Sequence, residues 1–201
     1  MNDERKQALI EKYRDINIED DWWDQTYDDF TRQMANKHIV VNDIRFKGFW
    51  SQGDGASFTG LIRGNERFFK DHELTESYPW MTKFLGLGGE FTLVIERKGQ
   101  LHHYAHENTI GVDLDFAGLF SHHIEQRDDL RTAIAERWDQ HLESEYDTIC
   151  ATVDEIIRGY CRDLYKQLEE TYNYLTSDEA VWGSIRLNDL DTKTNEKEDV
   201  Q

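Results

Sequence analysis

Proline is almost missing from this chain; Pro79 is the one example in 201 residues. That excludes proline-rich linkers and extended polyproline segments. Two cysteines, Cys150 and Cys161, exclude a disulfide framework. They sit in a helical pattern about 16 Å apart along one helix, too far to bridge within it, so reduced core thiols are expected. Basic residues are scarce as well: 23 Lys and Arg stand against 41 Asp and Glu, a formal charge of −18. Phosphate binding needs positive surface, so neither direct nucleic-acid binding nor an anionic membrane is expected. No apolar run approaches the roughly 20 residues of a membrane-spanning helix, and the N-terminus is charged with no apolar leader core. A cytoplasmic location is expected. Catalytic signatures are absent too. No Ser-His-Asp or Cys-His arrangement carries a local motif. The Gly86-Leu87-Gly88-Gly89 run lacks the Lys-Ser/Thr of a phosphate loop and precedes a strand rather than a helix. No cofactor, no metal and no catalytic residue are expected.

What the chain does contain is a well-marked hairpin over residues 46–60, FKGFWSQGDGASFTG. Aromatic and β-branched residues flank a Ser-Gln-Gly-Asp-Gly cluster that tolerates left-handed backbone. Pairing Trp50 with Ala56 sets Gly48 opposite Phe58, Phe46 opposite Gly60 and Ile44 opposite Ile62, large against small. In that register Gly48→Val crowds Phe58 and Gly60→Val crowds Phe46, while Asp54→Ala costs little. Gln52 and Asp54 at the tip are candidate binding residues; the alternative is an ordinary turn.

Helical periodicity frames the hairpin. Residues 3–16 read as a polar helix with Leu9, Ile10 and Tyr13 facing inward. Trp23, Tyr27, Phe30 and Met34 follow i, i+4, i+7, i+11. Around them stand Glu19, Asp20, Asp21, Asp24, Asp28 and Asp29 with no base between. Asp20, Asp21, Trp22, Asp24, Asp28 and Asp29 are therefore candidates for docking a basic partner; as structure, the same acids favour the start of a helix dipole. Short helices are expected over 66–72 and 78–85, the second started by Pro79. A three-stranded meander is expected over 90–116, with strands at 91–96, 101–106 and 110–116. Its polar face collects His102, Tyr104, His106, Asp113 and Asp115. Two histidines at i, i+4 on a strand are about 13 Å apart and do not chelate one ion by themselves. His122 and His123 form an unspecific loop pair. From 125 to about 174 the stripe is helical, and a break is expected near 143–148 because one unbroken helix of that length would span about 75 Å. Ser177 reads as the N-cap of a last helix whose inner face is Val181, Trp182 and Ile185. The fold expected is α+β: an antiparallel sheet of about five strands, hairpin plus meander, packed on N-terminal helices and a long C-terminal helical arm. It forms a single domain over 1–188 with the arm at 125–188, followed by a disordered acidic tail at 189–201.

The segment FWSQGDGASF resembles a motif in a family of uncharacterised proteins encoded by tailed bacteriophages. Asp21-Trp22-Trp23-Asp24 with Tyr27-Asp28-Asp29-Phe30, and Tyr174-Leu175-Thr176-Ser177-Asp178-Glu179-Ala180, fit the same resemblance in the same order. It spans roughly residues 20–185 and implies phage origin and fold, without any catalytic residue. Some members carry an antitoxin-like label.

Three functional readings follow. The first is a non-enzymatic phage accessory protein that binds and modulates a host or phage protein with a basic surface, its carboxylates standing in for DNA phosphates. The second is an antitoxin-like neutraliser of a toxin. The third is a hydrolase or nuclease using the face of His102, His106, Asp113 and Asp115. The oligomeric state is left open by the sequence.

Overall fold

A computed structural model describes residues 3–64, 66–86, 91–99, 104–115 and 143–193. The chain divides into two compact units, Met1–Asp28 with Lys166–Gln201, and Asp29–Tyr165. Two helices contribute to both: α2 (Asp24–Asn36) and the long α5 (Glu143–Leu175). The protein is α+β, as its pattern predicts.

The larger unit is built on a four-stranded antiparallel sheet, β1 (Ile39–Lys47), β2 (Gly55–Gly64), β3 (Phe91–Arg97) and β4 (Ile110–Asp115), in the order β1-β2-β3-β4. Of the fifth strand expected at 101–106, the described residues 104–106 are not in a strand. β3 pairs directly with β4, Ile95 opposite Val112, and Lys98 N–H donates to the Thr109 carbonyl at 2.8 Å. A strand has two edges, and those of β3 are occupied by β2 and β4. Residues 104–106 run outside the sheet into a 3₁₀ turn at Glu107–Thr109; residues 100–103 lie outside the described residues.

The hairpin register also differs. Phe46 faces Ala56 and Ile44 faces Phe58, four residues away from the pairing predicted. Between the turn and the bulge at Val41/Asp43 the displacement is even, so side chains there keep their faces; beyond the bulge it is five, and they change face. Its cause is the turn. The strand ends at Lys47, and Gly48 to Asp54 form a longer loop with its own hydrogen bonds. A bulge between Val41 and Asp43 then sets Val41 opposite Gly60 and Ile39 opposite Ile62.

Helices cover the apolar face. α5 presents Ile149, Val153, Ile157, Cys161 and Leu164, a stripe at helical spacing and fully buried. Residues 143–148, where a break was expected, are the first turns of this uninterrupted helix; 125–142 lie outside the described residues. Phe30 and Met34 of α2 are buried, the Phe30 ring 5.3 Å from that of Phe58. Two short helices, α3 (Glu66–Asp71) and α4 (Pro79–Gly86), add Phe68, Phe69, Met81 and Leu85. α4 starts at Pro79 as predicted. Its orphan N–H groups are met from α5: Glu145 accepts from Trp80 N–H at 3.2 Å and Met81 N–H at 3.0 Å. After α3, His72 Nδ1 lies 2.8 Å from the Phe68 carbonyl and Nε2 2.8 Å from the Tyr160 hydroxyl. A carbonyl only accepts, so Nδ1 carries the proton and neutral His72 takes the hydroxyl proton on Nε2. Burial lowers the pKa of His72 and favours that neutral form.

The smaller unit joins the chain ends. α1 (Asp3–Lys12) and α6 (Asp178–Leu187) bury Leu9, Ile10, Val181 and Ile185 against one another, with Tyr13, Ile16, Trp182 and Leu190 alongside. Ser177 is the N-cap predicted, its hydroxyl accepting from Ala180 N–H at 3.2 Å. Arg14 fixes the corner before it, donating to the Thr176 carbonyl at 3.1 Å and to Asp178 at 2.6 Å. Asn17 donates to the Leu175 carbonyl at 2.8 Å and accepts from the Ser184 hydroxyl at 2.6 Å. The start of the expected tail is ordered: Leu190–Lys193 form a helical turn, α7, because Leu190 has apolar neighbours to pack on. Residues 194–201 lie outside the described residues. Among the described residues, no helix is long and apolar enough to cross a membrane.

Candidate functional site

Two groups of side chains have the exposure and the chemistry for recognition, one in each unit. In the smaller unit, Asp20, Asp21, Asp24 and Asp28 are exposed. The last two lie one turn apart on α2, hence on one face. Trp22 does not share their exposure. It is half-buried, its ring 5.6 Å from Tyr172 and 5.7 Å from Trp23. One residue pair below, the Thr26 and Thr171 hydroxyls share a hydrogen bond at 3.3 Å. Trp22 thus anchors the stretch that presents the acids. Asp29 belongs to the larger unit, is half-buried and pairs with Arg32 on its own helix.

In the larger unit the hairpin loop is a constructed feature. The Asp54 carboxylate turns back and accepts from Trp50 N–H at 3.0 Å and from Ser51 N–H at 2.7 Å. Asp54 N–H in turn donates to the Ser51 carbonyl at 3.0 Å. Gly48 lets the chain leave β1 with φ +40, and a Cβ there would stand 2.8 Å from the Asp54 carboxylate. Gly53, at φ +93, lies directly under the Tyr104 ring, where a Cβ would come within 1.8 Å. Ala105 N–H donates to the Gly53 carbonyl at 3.2 Å. Phe49 is the root of the loop, its ring 5.0 Å from Phe46 and 5.4 Å from Tyr165. With the backbone held at these points, Trp50 is turned outward and is 78% exposed.

Of the two tip residues expected to bind, Gln52 is exposed, whereas Asp54 gives one carboxylate oxygen to the loop backbone. Asp54→Ala is therefore expected to cost about 1–2 kcal/mol, more than a turn position alone would suggest, since hydrogen bonds to a charged acceptor are among the stronger ones. Denaturant unfolding measures it, and a loss below a few tenths would mean that these bonds do not persist in solution. Trp50 and Tyr104 were missed as site residues, having been read as strand residues. The signal present was Asp54 four residues after Trp50, an acceptor spaced to cap the backbone N–H groups of the turn.

Only part of the expected His/Asp face is described. His102 lies outside the described residues, as do His122, His123 and the Asp115 side chain. His106 caps the 3₁₀ turn, its Nδ1 accepting from Asn108 N–H at 3.2 Å. Asp113 accepts from the Tyr146 hydroxyl at 2.8 Å, which with burial pushes that phenol up to about 12. Among the described residues no three of His, Cys, Asp and Glu are grouped to hold a metal ion. Neither Cys150 nor Cys161 is in a disulfide; burial pushes Cys161 up to about 12, far from a reactive thiolate.

The sequence model of a domain of unknown function, DUF8835, matches residues 22–178. No curated protein and no solved structure matches the chain.

Proposed function

We propose that this chain, which belongs to the DUF8835 family, is a non-enzymatic accessory protein of phage origin that docks a basic host or phage protein through its carboxylates. The observation that carries the reading is where the charge sits. The unit formed by the chain ends holds 18 acidic and 8 basic residues, net −10, in well under half of the chain. Within it Asp20, Asp21, Asp24 and Asp28 are all exposed. Carboxylates one helical turn apart, about 5.4 Å, offer a basic surface a row of negative charges comparable to a phosphate backbone. Such opposed fields speed association and reject like-charged competitors. The proteins meant are those of the cytoplasm of an infected cell.

The test is affinity capture from host extract with mass spectrometry, comparing the parent with the triple variant Asp20→Asn, Asp21→Asn, Asp24→Asn. The variant is expected to lose most of the captured basic partner and to melt within about 2 °C of the parent, because exposed acids contribute only tenths of a kcal/mol each. Capture is expected to fail in about 0.5 M salt, where screening shortens the field to a few ångströms. Capture that survives both the substitutions and the salt would end the proposal.

A further inference from the structure

We infer that the Gly48–Asp54 loop is a preformed acceptor for a cationic side chain, with the Trp50 ring as the surface on which a partner's arginine lies. This rests on the reading that the partner is basic, and it adds a residue, a geometry and a contact chemistry. Large aromatic side chains dominate binding energy when they are held in place beforehand, because little conformational freedom is then lost on association. Trp50 meets that condition. Its own N–H and that of Ser51 are fixed on the Asp54 carboxylate, and its neighbour Phe49 is packed on Phe46 and Tyr165. From the other side Ala105 N–H holds the Gly53 carbonyl, and the Tyr104 ring closes over Gly53. Trp50 as a whole is left 78% exposed, with its ring 5.8 Å from that of Phe49. Tyr104, also exposed at 39%, adds a second aromatic next to Gly53.

Charge selects what lies on that ring. Between Gly48 and Gly60 the one charged residue is Asp54. The unit that carries the loop holds 23 acidic and 15 basic residues. A second copy of the chain at −18, or an anionic partner, would be repelled. Tryptophan is the aromatic best suited to receive a cation, and guanidinium stacks on it more often than ammonium does.

The test follows the six tryptophan indole N–H resonances of the ¹⁵N-labelled full chain, Trp50 being assigned by its loss in Trp50→Phe. The probe is an arginine-rich peptide, with a glutamate-rich peptide of equal length as control. The Trp50 resonance is expected to shift saturably with the first and to stay in place with the second. Trp50→Ala is expected to weaken binding of the peptide about fivefold or more. Mono-, di- and trifluorinated tryptophan introduced at position 50 should weaken it in steps, since fluorine drains the ring face without removing its bulk. Peptide binding with an unmoved Trp50 resonance would overturn the inference and leave the acidic-surface reading standing. So would a Trp50 shift indifferent to fluorination, which marks an apolar contact instead. A peptide that does not bind at all would overturn both.

Discussion

Phe58→Ala is expected to lower the unfolding free energy by about 3–5 kcal/mol, the cost of deleting a fully buried ring and leaving a cavity. Phe58 lies where three elements meet. It stands on β2 opposite Ile44 of β1, edge-on to Phe30 of α2, with its backbone N–H donating to the Cys161 sulfur of α5. Its side chain has no solvent exposure. Guanidinium unfolding followed by circular dichroism reads the loss, and Trp50→Ala, at an exposed position, should change stability by no more than about 0.5 kcal/mol. If the two variants unfolded alike, the hairpin and α5 would not share a core.

Gly60→Ala is expected to cost about 3 kcal/mol, the upper end for overpacking by a single methyl group. The reason is backbone. A Cβ at Gly60 would come 2.1 Å from the Val40 carbonyl oxygen, at the bulge where β1 shifts its register against β2. A carbonyl in a strand ladder cannot move aside as a side-chain tip can, so either the bulge or the pairing must give way. The comparison is Gly183→Ala on α6, which meets nothing within 4 Å. Removing a helix glycine there should stabilise by about 0.5–1 kcal/mol. A Gly60→Ala protein as stable as the parent would mean that the bulge lies elsewhere. This corrects the expectation that Gly60 is small to accommodate Phe46. Gly48 likewise spares the Asp54 carboxylate rather than Phe58.

Trp50 shows how a sound local pattern can mislead about a site. Alternation and cross-strand size matching predicted it as a strand residue paired with Ala56. In the protein Ala56 pairs with Phe46, and Trp50 stands out on a loop. The energy that decides this is not in the alternation. It comes from Asp54 capping two N–H groups, from Phe49 finding Tyr165 on a helix more than a hundred residues later, and from Tyr104 closing over Gly53. The acidic stretch was more legible because exposure of carboxylates follows from their solvation alone. Trp22 was less so, since its burial against Tyr172 depends on the far end of α5.

Periodicity and composition were enough to fix the α+β class, the hairpin, the helical stripes of α2 and α5, the Ser177 cap and the Pro79 helix start. Each of these depends on neighbours within one or two turns of the chain, where the backbone's own geometry dictates which residues share a face. Strand count, register and the role of every glycine in the hairpin were decided by tertiary structure. The sequence 101–106 alternates as a strand between 91–96 and 110–116 should, yet β3 pairs directly with β4 and leaves no place for a strand between them. Leu190 reads as part of a polar tail until Val181 and Ile185 are brought beside it. Choice of strand partner and long-range burial are properties of the assembled chain, and no window of sequence contains them.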